Sequence, residues 1–137
     1  MPLILTINAD DTSLEFKCFE MIGEVCLAKG KFSDIKNSSP ELTYVRHDGD
    51  NYKLEVPQIT YDNVFSFISA TLLDKEHGII DDMSAITAVG HCVAHGGTHF
   101  TESQLITPLT EGLIEQNNHL APLHNPFNLK GVRLCRK

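Results

Sequence analysis

Residues 3–32 carry three strand-like segments in close succession, and this opening constrains the fold more than any other feature. LILTIN (3–8) is apolar and predicts a buried strand. LEFKCFEMI (14–22) sets Leu14, Phe16 and Cys18 against Glu15 and Lys17, the two-residue period of a half-buried strand. ADDTS (9–13) supplies a turn between the two. Gly23 allows a tight turn, and EVCLAKGKF (24–32) predicts a third strand. The chain therefore begins as a three-stranded meander.

The remainder alternates strands with helices. After the loop KNSSP (36–40), TYVRH (43–47) and NYKLEV (51–56) predict a hairpin around Asp48-Gly49-Asp50, because an Asp-Gly step tolerates positive φ. Pro57 ends that ladder. Thr60 is placed to N-cap a helix whose apolar residues Tyr61, Val64, Phe65, Ile68 and Leu72 follow helical spacing, with Gly78 as its terminator. A short helix is expected over 81–86. TAVGHCVAH (87–95) predicts a strand that ends at Gly96-Gly97. Thr107-Pro108 reads as an N-cap followed by proline at the first helical position, with Glu111 in the first turn. Asn117-Asn118, Pro122 and Pro126 interrupt that helix, and a last helical segment runs from Pro126. This order of elements belongs to the α/β class.

At 137 residues the chain suits one domain with a real core. A formal net charge of −7 argues against non-specific nucleic-acid or anionic-membrane binding, since both need basic patches. Apolar stretches fall far short of a membrane span, and no signal peptide opens the chain. Cys18, Cys26, Cys92 and Cys135 are scattered without a C-x-x-C pair, so reduced thiols and a cytoplasmic location are expected.

GHCVAHGGTHFTES (90–103) spaces His91, His95 and His99 four apart, which would stack three imidazoles on a helix face and suggest zinc. Gly90, Gly96 and Gly97 oppose that helix, each costing about 1 kcal/mol relative to Ala. In a strand, His91 and His95 share a face but stand roughly 13 Å apart, too far to ligate one ion. The segment reads as strand followed by turn, with histidines that are hydrogen-bonded or exposed.

The same segment resembles the acetate kinase sequence G-H-R-V-V-H-G-G-x-x-F-T-E-S. LAPLHNPFNLKGV (120–132) is similar to that family's L-A-P-L-H-N-P-x-N-L-x-G-I, and INADDTSLEFKCFE (7–20) to its opening I-N-x-G-S-S-S-L-K-F. Three motifs in the family's order span nearly the whole chain. The resemblance implies an N-terminal domain of the actin and sugar-kinase superfamily, ribonuclease H-like. That is an α/β domain with a mixed sheet that starts as an antiparallel meander, continues through parallel strands and carries flanking helices. Residues 1–137 would form this one domain, with the family's C-terminal domain absent.

The family reaction implied is transfer of phosphate between ATP and acetate, with Mg²⁺. By resemblance, Asn8 stands at the magnesium site and Ser13 in the phosphate loop. His124 lies near the transferred phosphoryl group, while Ala94 and Leu123 wall the acyl pocket. Gly96-Gly97 lets the backbone approach a small substrate.

Several positions depart from the family. Cys92 replaces the arginine that binds the substrate carboxylate, and a thiol supplies neither permanent charge nor a fork of donors. Ala94 replaces valine and enlarges the acyl pocket. Glu15 replaces a lysine associated with ATP, and Asp10 and Asp11 replace glycine and serine. These three carboxylates are expected to repel a nucleotide, making ATP and Mg²⁺ binding by this chain weak; Asp10 and Asp11 read alternatively as extra Mg²⁺ ligands. The expectation is a truncated acetate kinase-like protein, inactive alone. The alternatives are a non-catalytic interaction module and a fragment of a propionate or butyrate kinase. Its partner is a second copy or a separately encoded C-terminal half, with no nucleic acid and no membrane.

Overall fold

The computed structural model describes residues 3–9, 13–33, 35, 40–55, 63–76, 78–92, 102–103, 105–120, 125–126, 128–129 and 132. Six strands form one sheet: β1 (Leu3–Ala9), β2 (Leu14–Glu20), β3 (Val25–Ser33), β4 (Glu41–Arg46), β5 (Asn51–Glu55) and β6 (Ile86–His91), in the order β5-β4-β3-β2-β1-β6. The first five pair antiparallel, and β6 returns parallel to β1. The expected mixed sheet is therefore present. Among the described residues its parallel part is the single pair β1–β6, and α1 (Val64–Leu73) lies in the connection between β5 and β6.

Alternation in the sequence becomes the two faces of this sheet. Leu3, Leu5, Ile7, Leu14, Phe16, Cys18, Phe32, Leu42 and Tyr44 are buried on one face, where Val64, Ile68 and Leu72 of α1 join them in the main core. Gly30 belongs to that face because Phe16 fills its place: a Cβ there would lie 2.3 Å from the Phe16 ring. The opposite face carries Thr6, Asn8, Glu15, Lys17, Lys29 and Lys31, all partly or fully exposed.

Several local signals appear in the structure with shifted boundaries. The hairpin turns on Arg46–Asp50: Gly49 donates to the Arg46 carbonyl at 2.9 Å and Arg46 donates to the Asp50 carbonyl at 2.7 Å. Gly49 takes φ +91, as the Asp-Gly step implied. The second strand stops at Glu20, because Met21–Glu24 form the turn. Asn63 occupies the N-cap position of α1, without a side-chain cap; Thr60 lies outside the described residues. Gly78 is not the terminator of α1. The helix ends at Leu73, where Asp74 turns to ψ 133 and the Ile79 and Ile80 amides fold back onto the Leu72 carbonyl at 3.0 and 3.2 Å. The short helix expected over 81–86 is one 3₁₀ turn at Met83–Ala85, started by Asp82, whose carboxylate accepts from the Ser84 amide at 2.8 Å. In α2 (Pro108–Gln116), Thr107 caps through a bond accepted from the Thr110 amide at 3.1 Å, with Pro108 and Glu111 in the first turn as read.

The end of β1 is held from the far end of the chain. The Asn128 side chain, buried, donates to the Ala9 carbonyl. Asn125, fully buried, donates to the Asn117 carbonyl at 3.5 Å, and the Asn117 side chain donates to Leu113 of α2 at 2.8 Å. Buried amides are used here because each satisfies a strand-end or helix-end carbonyl that water cannot reach.

Candidate functional site

The antiparallel register of β1 and β2 sets Asn8 opposite Glu15 and Thr6 opposite Lys17. The parallel register of β1 and β6 sets Thr6 beside Gly90 and Ile7 beside His91, and the Cys92 amide extends the ladder by donating to the Ile7 carbonyl at 2.9 Å. Three strands thus bring Thr6, Ile7, Asn8, Glu15, Lys17, Gly90, His91 and Cys92 around one cavity of about 470 Å³. Gly90 leaves the middle of its wall without a side chain.

Electrostatics in the cavity are mixed. Oε1 of Glu15 lies 3.6 Å from Nζ of Lys17 and 4.0 Å from Nζ of Lys29. The Glu15 charge is therefore offset by two ammonium groups, which removes the local basis for treating it as a bare repulsive group. His91 is the contrasting case, because its register partner Ile7 places it on the core side of the sheet. Its Nδ1 is buried without a hydrogen-bond partner among the described residues, and desolvation lowers its pKa to about 4. It stands neutral at pH 7. Cys92 presents an exposed free thiol at the cavity edge, and Cys18 and Cys26 are also free.

Of the residues singled out from sequence, the structure gathers Asn8, Glu15 and Cys92. Ser13 is half-buried one residue before β2 and does not line the cavity. Ala94, Leu123 and His124 lie outside the described residues, as do Asp10, Asp11, His95, Gly96, Gly97 and His99. Lys17 was missed as a site residue. The signal was available: on a strand, residues 15 and 17 share a face, so a group two positions from Glu15 reaches the same space.

Asn8 offers one exposed carboxamide oxygen to a hard cation. No cluster of three or more His, Cys, Asp or Glu side chains able to hold a metal occurs among the described residues. A single carboxamide oxygen supplies at most one ligand to Mg²⁺, an ion held through one or two carboxylates together with waters and substrate phosphates. No helix among the described residues is long and apolar enough to cross a membrane.

This chain is similar over almost its whole length to known proteins. Residues 3–137 match the model of the acetokinase family. Acetate kinase of Halothermothrix orenii is 37% identical over 134 residues, covering 98% of this chain and 34% of that protein. Among solved structures, Porphyromonas gingivalis acetate kinase superposes with a TM-score of 0.93 at 34% identity, covering 98% of this chain and 34% of that one. A propionate kinase from Francisella tularensis gives a TM-score of 0.87 at 27% identity, covering 99% of this chain and 34% of that one. The chain thus spans about a third of the length of the relatives it matches.

Proposed function

This chain belongs to the acetokinase family, and we propose that it forms the N-terminal third of a phosphotransferase that moves a phosphoryl group between ATP and a short carboxylate. The observation that carries the proposal is a cavity in which β1, β2 and β6 bring together Asn8, Glu15 and Cys92. Asn8 would hold Mg²⁺ through its carboxamide, and the ion would screen phosphate charge. Thr6 and Asn8 orient polar groups of a bound ligand, and the bare Gly90 backbone lets that ligand approach the sheet. With three free thiols and no membrane-spanning helix among the described residues, we assign it to the cytoplasm.

As a 137-residue chain it is proposed not to turn over. Phosphoryl transfer depends almost wholly on positioning and charge stabilisation, and relatives that perform it are about three times as long. Cys92 adds a second reason. Losing a charge-assisted hydrogen bond to a carboxylate costs about 1.5–3 kcal/mol per bond, so acetate is held at least tenfold more weakly than by an arginine. Cys92 also favours a second reading, a family member that has become a non-catalytic interaction module.

Grafting tests both readings. Replacing the first third of a full-length acetate kinase by this chain should give a folded enzyme with an acetate KM raised at least tenfold, and Cys92→Arg should recover most of the loss. The 137-residue chain alone should show no turnover with ATP, Mg²⁺ and acetate above a heat-killed control. A folded chimaera that stays inactive with Arg at position 92 would support the interaction module instead.

A further inference from the structure

We infer that Lys17 is the anion-binding residue of this cavity, and that its ligand is a small phosphate-bearing anion rather than a bare carboxylate. The kind of anion rests on the phosphotransferase reading; the placement of the charge does not. Register aligns Lys29, Lys17, Thr6 and Gly90 across four adjacent strands, and Lys31, Glu15 and Asn8 in the neighbouring row. With strands about 4.8 Å apart, the first row spans roughly 15 Å. A chain of net charge −7 therefore collects Lys17, Lys29 and Lys31 around one carboxylate, Glu15, on a single sheet face. Lys53, farther along that face, is taken by Glu41 at 3.3 Å and is not counted.

Of these lysines Lys17 alone lines the cavity, while Lys29 stands on the next strand and meets the same Glu15 oxygen. Glu15 thereby tethers Lys17 at the cavity wall, and Lys29 and Lys31 leave the surrounding field positive. Ligand chemistry follows from the donors. A carboxylate is best recognised by the planar fork of a guanidinium, and Cys92 offers none. An ammonium acts as a point charge suited to phosphate, with the Thr6 hydroxyl and Asn8 amide as neutral donors beside it. The volume of about 470 Å³ admits a phosphorylated small molecule and not only the free ion.

Titration of the ¹⁵N-labelled 137-residue chain with inorganic phosphate at low salt tests this. Saturable shifts should centre on Thr6, Lys17 and Gly90, and acetate at equal ionic strength should perturb them at least fivefold less. Lys17→Gln should raise the Kd at least fivefold, Lys17→Arg should stay within twofold of the parent, and Glu15→Gln should bind more tightly. Lys75→Gln, on the exposed turn after α1, is the control and should change nothing; dispersed spectra verify folding of each variant. Equal Kd values for the parent and Lys17→Gln, or equal responses to acetate and phosphate, overturn the inference. An inactive chimaera with a phosphate response that still depends on Lys17 would defeat the phosphotransferase reading and leave this one standing.

Discussion

Acidification should destabilise this fold through His91 before its carboxylates titrate. Its ring shares a side with Ile7 in the β1–β6 register, its Nδ1 has no partner among the described residues, and burial lowers its pKa to about 4. In the unfolded chain the same imidazole titrates near 6.5. Above that pH both states are neutral and the group contributes no slope. Between 6.5 and 4 the unfolded state binds a proton that the folded state refuses, so stability falls as pH falls. Below about 4 both states are protonated and the loss is complete. Full separation of the two values corresponds to about 3 kcal/mol; the ring is only partly buried, and solvent screening brings the expected loss to about 1–2 kcal/mol. Urea midpoints at pH 7.0, 6.0 and 5.0, compared with His91→Phe, isolate this contribution, because phenylalanine fills the site without titrating. The parent should lose stability across that range by about 1 kcal/mol more than the variant. The reasoning fails if the two midpoints move in parallel, or if the His91 ring protons of the folded parent titrate near 6.5.

Two further outcomes test the packing that positions the site. Gly30→Ala places a Cβ 2.3 and 2.4 Å from the Cζ and Cε1 atoms of fully buried Phe16, so a loss of about 1–3 kcal/mol is expected by urea denaturation, partly recovered by adding Phe16→Leu. Asn128→Ala leaves the Ala9 carbonyl without its buried donor; the expected cost is about 1–3 kcal/mol, accompanied by faster amide hydrogen exchange at the end of β1.

Legibility in the sequence followed the range of each signal. Period-two alternation identified β2 because one of its faces meets core and the other solvent, whereas the apolar run LILTIN identified β1, whose Ile4, Thr6 and Asn8 are nonetheless partly or fully exposed. Thr107-Pro108 marked the start of α2 because cap chemistry is local, needing only the next turn of chain. Gly78 misled because a glycine is equally at home in the turn that follows a helix, and α1 was ended instead by Ile79 and Ile80 folding back onto Leu72. The amide of Asn128 could be matched to a motif, but its partner is Ala9, 119 residues away, and no local pattern reports such a pair.

The same distinction explains the charge of the site. Read along the chain, Glu15 is a lysine lost, and with Cys92 it suggests a site emptied of positive charge. Read across the sheet, Glu15 sits between the ammonium groups of Lys17 and Lys29, one a strand position away on the same face and the other on the neighbouring strand. Position-by-position matching compares each residue with its counterpart and is blind to a cation two residues along the strand, because residues two apart share a face. What the ligand meets is the face. Lys17 therefore stands beside Glu15 on that face, whereas no described residue puts a guanidinium at the place of Cys92. On the inference drawn for Lys17 this site attracts phosphate and does not grip a carboxylate, and the titration of phosphate against acetate measures that difference directly.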